Sequence, residues 1–104
     1  MIEITPIAID DKNNLISLVA YENGKEIGYI SFVQLKENLK LTGFTYDYID
    51  VGELLIRAAA SYAERRAIPK IIADNISNPL LKQIGFTEEN GMQTLDVSKI
   101  IHYK

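Results

Sequence analysis

The stretch that decides the fold runs from residue 50 to residue 86 and reads DVGELLIRAAASYAERRAIPKIIADNISNPLLKQIGF. In residues 51–66, apolar side chains recur three and four positions apart, a spacing that predicts an amphipathic helix. Pro69 then stops this helix, and residues 70–73, which are apolar after Lys70, predict a short buried strand. The face of the helix that we expect to be buried consists of Val51, Leu54, Leu55, Ala58, Ala59, Tyr62 and Ala63.

Residues 78–86 predict a second, shorter helix. Its first residues, Asn78 and Pro79, are typical of a helix start, and Gly85 can end it because glycine tolerates the backbone turn that follows a helix. After it, residues 88–97 predict a further strand or a hairpin around the turn formed by Asn90 and Gly91.

The hydrophobic pattern of the first 46 residues has a different period from that of the predicted helices. Apolar and polar side chains alternate there between short polar turns, which predicts four strands in succession, at residues 2–9, 15–22, 25–35 and 39–46. Asn23 and Gly24 favour a two-residue hairpin turn, because both tolerate a positive φ. Pro6 has no amide hydrogen to donate to the hydrogen-bond ladder of a sheet, so we expect the first strand to lie at an edge or to be bulged. The whole chain, residues 1–104, is therefore predicted to form one α/β domain with a mixed, mostly antiparallel sheet and two helices.

The composition and charge of the chain argue against several classes of functional site. The chain has no cysteine, which excludes thiolate nucleophiles and cysteine-based metal sites. His102 is its only histidine and has no partner at a metal-ligand spacing, so no metal site is expected. The formal net charge is -3, and the tightest basic group, Arg65, Arg66 and Lys70, falls where cations complement a helix dipole, so no nucleic-acid partner is expected. No apolar run approaches the ~20 residues of a membrane span, and the first residues lack the blocks of a signal peptide, so a cytoplasmic location is expected.

This order of elements resembles the GNAT superfamily of N-acetyltransferases. Residues 39–46 look like its fourth strand, residues 51–66 like its long helix, and residues 78–86 like its last helix with the closing Gly-Phe. The resemblance implies a GNAT-like fold and acetyl-CoA as the cofactor. By the same resemblance, the backbone near Phe44, Thr45, Val51 and Gly52 would hold the cofactor, and Asn75 would lie near its arm or serve only as a turn residue.

The sequence departs from the family at three places. Asp47 and Asp50 stand where the family's phosphate-binding loop has Arg or Gln and a glycine, and Leu81 stands where it often has a general-acid tyrosine. The strand at residues 39–46 contains no carboxylate to act as a base, although Tyr46 at its end and Tyr48 just beyond it could hold a proton or a water, or simply pack. Asp50 and Glu53 also have the spacing of a capping box, which predicts a helix that caps itself.

Two hypotheses follow. The first is an acetyl-CoA-dependent N-acetyltransferase with weak or lost activity and unassigned catalytic residues. The alternative is a non-catalytic GNAT-fold module that binds a protein or a small ligand, or that forms homo-oligomers through the edge strand bearing Pro6 or through the C-terminal strand.

Overall fold

A computed structural model describes residues 2–10, 15–74, 76 and 78–100 of the chain. Seven strands and three helices follow one another in it. The strands are β1 (Ile2–Asp10), β2 (Leu15–Glu22), β3 (Lys25–Gln34), β4 (Asn38–Tyr46), β5 (Lys70–Ala73), β6 (Thr87–Glu89) and β7 (Met92–Asp96). The helices are α1 (Ile49–Arg65), α2 (Pro79–Ile84) and α3 (Val97–Ile100).

All seven strands form one mixed sheet in the order β1-β2-β3-β4-β5-β7-β6. Only β4 and β5 are parallel, because α1 connects them as a crossover, and the other neighbours are antiparallel. The predicted α/β class and mostly antiparallel sheet are confirmed. The first strand is both an edge strand and irregular between Pro6 and Ala8, as its proline led us to expect.

The two predicted hairpin turns are also confirmed. Asn23 and Gly24 have φ values of 54° and 82°, and Asn90 and Gly91 have φ values of 53° and 82°. Two successive residues with positive φ make the turn whose twist matches that of the flanking strands.

The buried face of α1 differs from the predicted one. Leu54 is 39% exposed, whereas Ile56 and Ala60 are fully buried. The buried arc is thus rotated by less than one residue step, towards Gly52. Gly52 has no side chain and gives no hydrophobic signal, yet it is buried and packs tightly against Leu80 of α2.

The helices cover one face of the sheet. Buried residues of α1, α2 and α3 join a single core with alternating residues of the strands, such as Ile30, Phe32 and Ile71. The residues that alternate with these on β3 point to the opposite face: Tyr29, Ser31 and Val33 are half-buried and lie outside that core. No helix within the described ranges has both the length and the apolarity that a membrane crossing requires.

Candidate functional site

The most distinctive feature of the sheet is the point where β4 and β5 part. Their parallel pairing runs from Asn38 opposite Lys70 to Leu41 opposite Ala73, where β5 ends. β4 continues for five more residues, so residues 42–46 have no strand beside them on that side among the described residues. We call this open edge the β4 gap.

The gap begins at a bulge. Ser31 of β3 lies opposite Gly43, but the next residue, Phe32, lies opposite Leu41, which leaves Thr42 as the extra residue in β4. The side-chain oxygens of Thr42 and Ser31 are 2.9 Å apart. The bulge bends β4 where it leaves β5, and a bend of this kind helps two parallel strands to separate.

The backbone of β4 offers hydrogen-bonding groups to the gap. The amide of Asp47 donates to the carbonyl of Ile27 at 2.9 Å, which fixes which residues of β4 face β3. By the alternation of an antiparallel ladder, the peptide groups of Thr45 then also face β3, whereas those of Phe44 and Tyr46 face the gap. Of the predicted pair of cofactor residues on this strand, Phe44 is therefore placed to contact a ligand through its backbone. Thr45 has an exposed side chain and uses its backbone within the sheet.

The amino end of α1 lies next to the gap, and its amides are only partly available. Tyr48 is the N-cap residue, and its carbonyl accepts from the amides of Val51 at 3.0 Å and Gly52 at 3.2 Å. These two predicted cofactor residues therefore already have backbone partners and are buried. Within the described structure, the amides of Ile49 and Asp50 have no backbone partner.

The predicted capping box is wrong. The N-cap of α1 is Tyr48, which has extended backbone angles of φ -132° and ψ 148° and makes no side-chain capping bond. Asp50 lies two residues later, inside the first turn, where its backbone is already helical. The spacing to Glu53 is correct for a capping box, but the pattern requires its first residue to precede the helix.

Charge around this helix end opposes phosphate. Asp47, Asp50 and Glu53 are all exposed there, and the only ion pair in the described part of the chain joins Lys99 to Asp96 elsewhere. A carboxylate about 6 Å from a phosphate charge opposes it by roughly 3 kcal/mol at an effective dielectric constant near 20 and by about 0.7 kcal/mol in bulk water. Because the three carboxylates are exposed to solvent, the repulsion energy lies closer to the value for bulk water. A phosphorylated ligand would be tolerated here but not attracted.

Tyr46 bridges β4 and α2. Its hydroxyl donates to Oδ1 of Asn78 at 3.0 Å, and the same oxygen accepts from the amide of Leu80 at 2.9 Å, which caps α2. The tyrosine ring also lies against Gly52, where a β carbon would stand 3.0 Å from Cδ1 of Tyr46 and 2.5 Å from Cδ2 of Leu80. β4, α1 and α2 therefore meet at one side chain beside the gap.

Proton-transfer groups are scarce at this site. Leu81 is completely buried in the core, so the position to which the family resemblance assigns a tyrosine holds a hydrocarbon side chain. Tyr48 is 59% exposed, and the hydroxyl of Tyr46 is bonded to Asn78. Asn75 and His102 lie outside the described residues. Within the parts of the chain that the structure covers, no three acidic or histidine side chains gather closely enough to hold a metal ion.

Sequence reasoning missed the bond between Tyr46 and Asn78. It identified Asn78 as a helix start, and the structure confirms that role. Nothing in the pattern indicates a partner 32 residues away, because the contact arises only when the crossover brings α2 beside the end of β4.

A mixed sheet whose two parallel central strands part beside the amino end of a crossover helix defines the GNAT N-acetyltransferase fold, and this chain has that fold. The ribosomal-protein-S18-alanine N-acetyltransferase of Escherichia coli superposes with a TM-score of 0.77 over 94% of this chain and 95% of that chain, at 13% identity. An N-acetyltransferase of Staphylococcus aureus Mu50 gives a TM-score of 0.74 over 93% and 98% of the two chains, at 16% identity.

A third similar structure contains a ligand. The PaiA N-acetyltransferase of Thermoplasma acidophilum, in complex with coenzyme A, gives a TM-score of 0.69 over 80% of this chain at 12% identity. This chain covers only 61% of that protein's length. No protein-family model matches the sequence, and no curated protein matches it either. At these identities the structural similarity establishes the fold but not the activity, which has to be argued from the residues of the site.

Proposed function

We propose that this chain binds acetyl-CoA in the β4 gap and transfers the acetyl group to an amine slowly. The observation that supports binding is the end of the β4–β5 pairing at Leu41 and Ala73, which leaves the peptide groups of Phe44 and Tyr46 without a partner strand among the described residues. The pantetheine arm of coenzyme A contains two amides, and such a chain can pair with exposed strand groups much as another strand would. The coenzyme A complex of the Thermoplasma protein, which has the same fold, supports this choice of ligand.

The phosphate end of the ligand would lie at the amino end of α1. There the amides of Ile49 and Asp50 have no backbone partner, whereas those of Val51 and Gly52 already bond to Tyr48. The carboxylates of Asp47 and Asp50 weaken this end of the site, so the strand groups would contribute most of the affinity. Asn75, which the family resemblance assigns to the arm of the cofactor, remains part of the proposal.

Slow transfer follows from the side chains at the site. Bound acetyl-CoA supplies an activated thioester, but the amine must lose a proton and the departing thiolate must gain one. Leu81 can do neither, and β4 carries no carboxylate. Both protons would therefore exchange with water, without the usual gain of roughly 10²–10⁴-fold from a positioned acid or base.

The second candidate is a non-catalytic module that uses the same gap. The burial of Leu81 and the carboxylates beside the helix end favour it, because both oppose ordinary catalysis without closing the gap itself. The two candidates predict binding alike and differ in turnover.

Thermal unfolding in the presence of acetyl-CoA tests binding. A ligand at 100 times its dissociation constant adds about 2.7 kcal/mol to the free energy of unfolding, so a clear rise in Tm is expected. The absence of any shift at millimolar acetyl-CoA would exclude both candidates in their acetyl-CoA form. Release of free coenzyme A in the presence of amines then tests transfer. Because the chain contains no cysteine, a thiol reagent detects only the product. Binding without release would favour the non-catalytic module.

A further inference from the structure

We propose that Tyr46 is the gate of the β4 gap: its side chain closes the gap in the free protein, and a ligand enters when the bond between Tyr46 and Asn78 breaks. This inference rests on the proposed function in one respect, since it assumes that the gap is the ligand site. It adds the residue that controls access to that site.

The position of Tyr46 makes it an obstacle. It is the last residue of β4, and its ring lies against Gly52 in the first turn of α1, so a ligand that runs from the strand to the amino end of the helix must pass it. The ring points to the helix-covered face, because Tyr46 pairs with Gly28 and a β carbon on Gly28 would meet Val51 of α1. Its hydroxyl then reaches Asn78 in front of α2. The side chain therefore reaches from the end of β4 to the start of α2.

The closed position is well supported. The ring lies against Gly52, whose missing side chain makes room for it, and it packs against Phe44 with ring centroids 5.1 Å apart. The hydroxyl has an acceptor at 3.0 Å in a half-buried setting. These contacts make the closed form the ground state of the free protein.

Opening requires little rearrangement elsewhere. When Tyr46 leaves, Oδ1 of Asn78 still accepts from the amide of Leu80, so α2 remains capped. The ring is already half-buried at the surface, and its hydroxyl can bond to water instead. The neighbouring part of β4 is not held by β5, so no strand pairing on that side needs to break. Because this contact joins three elements but can break while their other hydrogen bonds remain, it is suited to control the entry of a ligand into the gap.

A closed ground state lowers the apparent affinity. When only a fraction of the molecules is open, the observed dissociation constant equals the intrinsic constant divided by that fraction. Removing the bond should raise the open fraction, and removing the whole ring should raise it further. We therefore expect Tyr46→Phe to bind roughly 3-fold more tightly than the natural protein, and Tyr46→Ala at least about 10-fold more tightly.

The experiment titrates coenzyme A and pantetheine into the natural protein, Tyr46→Phe, Tyr46→Ala and Tyr62→Phe by isothermal calorimetry. Tyr62→Phe is the matched control, because the hydroxyl of Tyr62 also donates to a half-buried side-chain amide at 3.0 Å, that of Gln34, but near the other end of α1. The two phenylalanine variants should lose similar amounts of thermal stability, and only Tyr46→Phe should gain affinity. Pantetheine has no phosphates, so an equal gain for both ligands assigns the effect to access and not to charge.

The outcomes separate the gate from the site. If Tyr46→Phe binds coenzyme A no better than Tyr62→Phe does, the gate is wrong, while the proposed binding function stands. If Tyr46→Ala unfolds, the comparison of the two phenylalanine variants still decides. If neither ligand binds any of the folded variants, the proposed site fails and the gate fails with it.

Discussion

Gly28 of β3 lies directly beneath Val51 of α1: a β carbon at position 28 would stand 3.1 Å from Cγ1 of Val51. It would also stand 2.8 Å from the carbonyl oxygen of Thr45. The absence of a side chain at Gly28 thus lets Val51 of the helix pack directly onto the sheet where β4 ends. This contact sets the height of the first turn of α1 above the sheet, and with it the geometry of the β4 gap.

Gly28→Ala should therefore destabilise the fold by about 1–3 kcal/mol, the usual cost of overpacking. The natural comparison is Gly43→Ala in the adjacent strand. There a β carbon would meet side-chain atoms of Ser31 and Tyr29, which can move, whereas at position 28 it meets backbone atoms, which cannot. Urea unfolding should show the larger loss for Gly28→Ala. Equal losses in the two variants would contradict the backbone contact.

Leu81→Tyr should not restore catalysis, although it recreates the residue type that the family often has at this position. Leu81 is completely buried in the core, so a larger, polar side chain should cost about 1–3 kcal/mol of stability. Leu81→Met is the control of similar volume and should cost less than about 1.5 kcal/mol. Urea unfolding measures the cost, and the thiol-release assay measures turnover. A stable Leu81→Tyr protein with faster release would refute this reading of the core.

Asp50→Asn should improve the binding of coenzyme A and leave pantetheine unaffected. Removing one exposed carboxylate about 6 Å from a phosphate charge is worth about 0.7 kcal/mol in bulk water, or roughly 3-fold in affinity. Glu64→Gln makes the same change of charge near the other end of α1, well beyond the ~8 Å screening length at physiological salt, and should have no effect. Calorimetric titrations at low and high salt provide the measurement. An equal gain from both variants would mean that only the net charge matters.

Asn78 should show two separable contributions to stability. Asn78→Ala removes the cap of α2, which costs about 1 kcal/mol, and also the acceptor of Tyr46. A double-mutant cycle with Tyr46→Phe should give a coupling of about 0.5–1.5 kcal/mol between the two side chains. Asn78→Asp keeps an acceptor oxygen and should remain close to the natural stability. A coupling near zero would show that the bond is not formed in solution.

Much of the fold is visible in local patterns. Asn23-Gly24 and Asn90-Gly91 identify two hairpins because few residue pairs accept two positive φ values in succession. Asn78 and Pro79 identify the start of α2, since one residue supplies a capping oxygen and the other needs no donor. In each case the cause of the structure lies within a few residues of the pattern.

The candidate site is different, because its geometry comes from contacts between distant segments. The pair formed by Asp50 and Glu53 satisfied a local rule, yet α1 begins earlier, at Ile49, with Tyr48 as its N-cap two residues after β4 ends. The burial of Gly52 likewise cannot be predicted from the hydrophobic pattern of the sequence, because a residue without a side chain contributes nothing to that pattern. The bond of Tyr46 to Asn78 depends on the path of the entire crossover.

Thr42 is one extra residue in the alternation of side chains along β4. Side chains in a strand alternate between faces, but the bulge leaves Thr42 unpaired, so Leu41 before it and Phe44 after it lie on the same face. If β4 kept Thr42 but had no bulge, strict alternation from Leu41 would turn Phe44 and Tyr46 towards the helix-free face and place Thr45 beneath α1 instead. Deleting Thr42 would leave the same residue pairs in a regular ladder, so Tyr46 would keep its face while β4 lost its bend at the start of the gap.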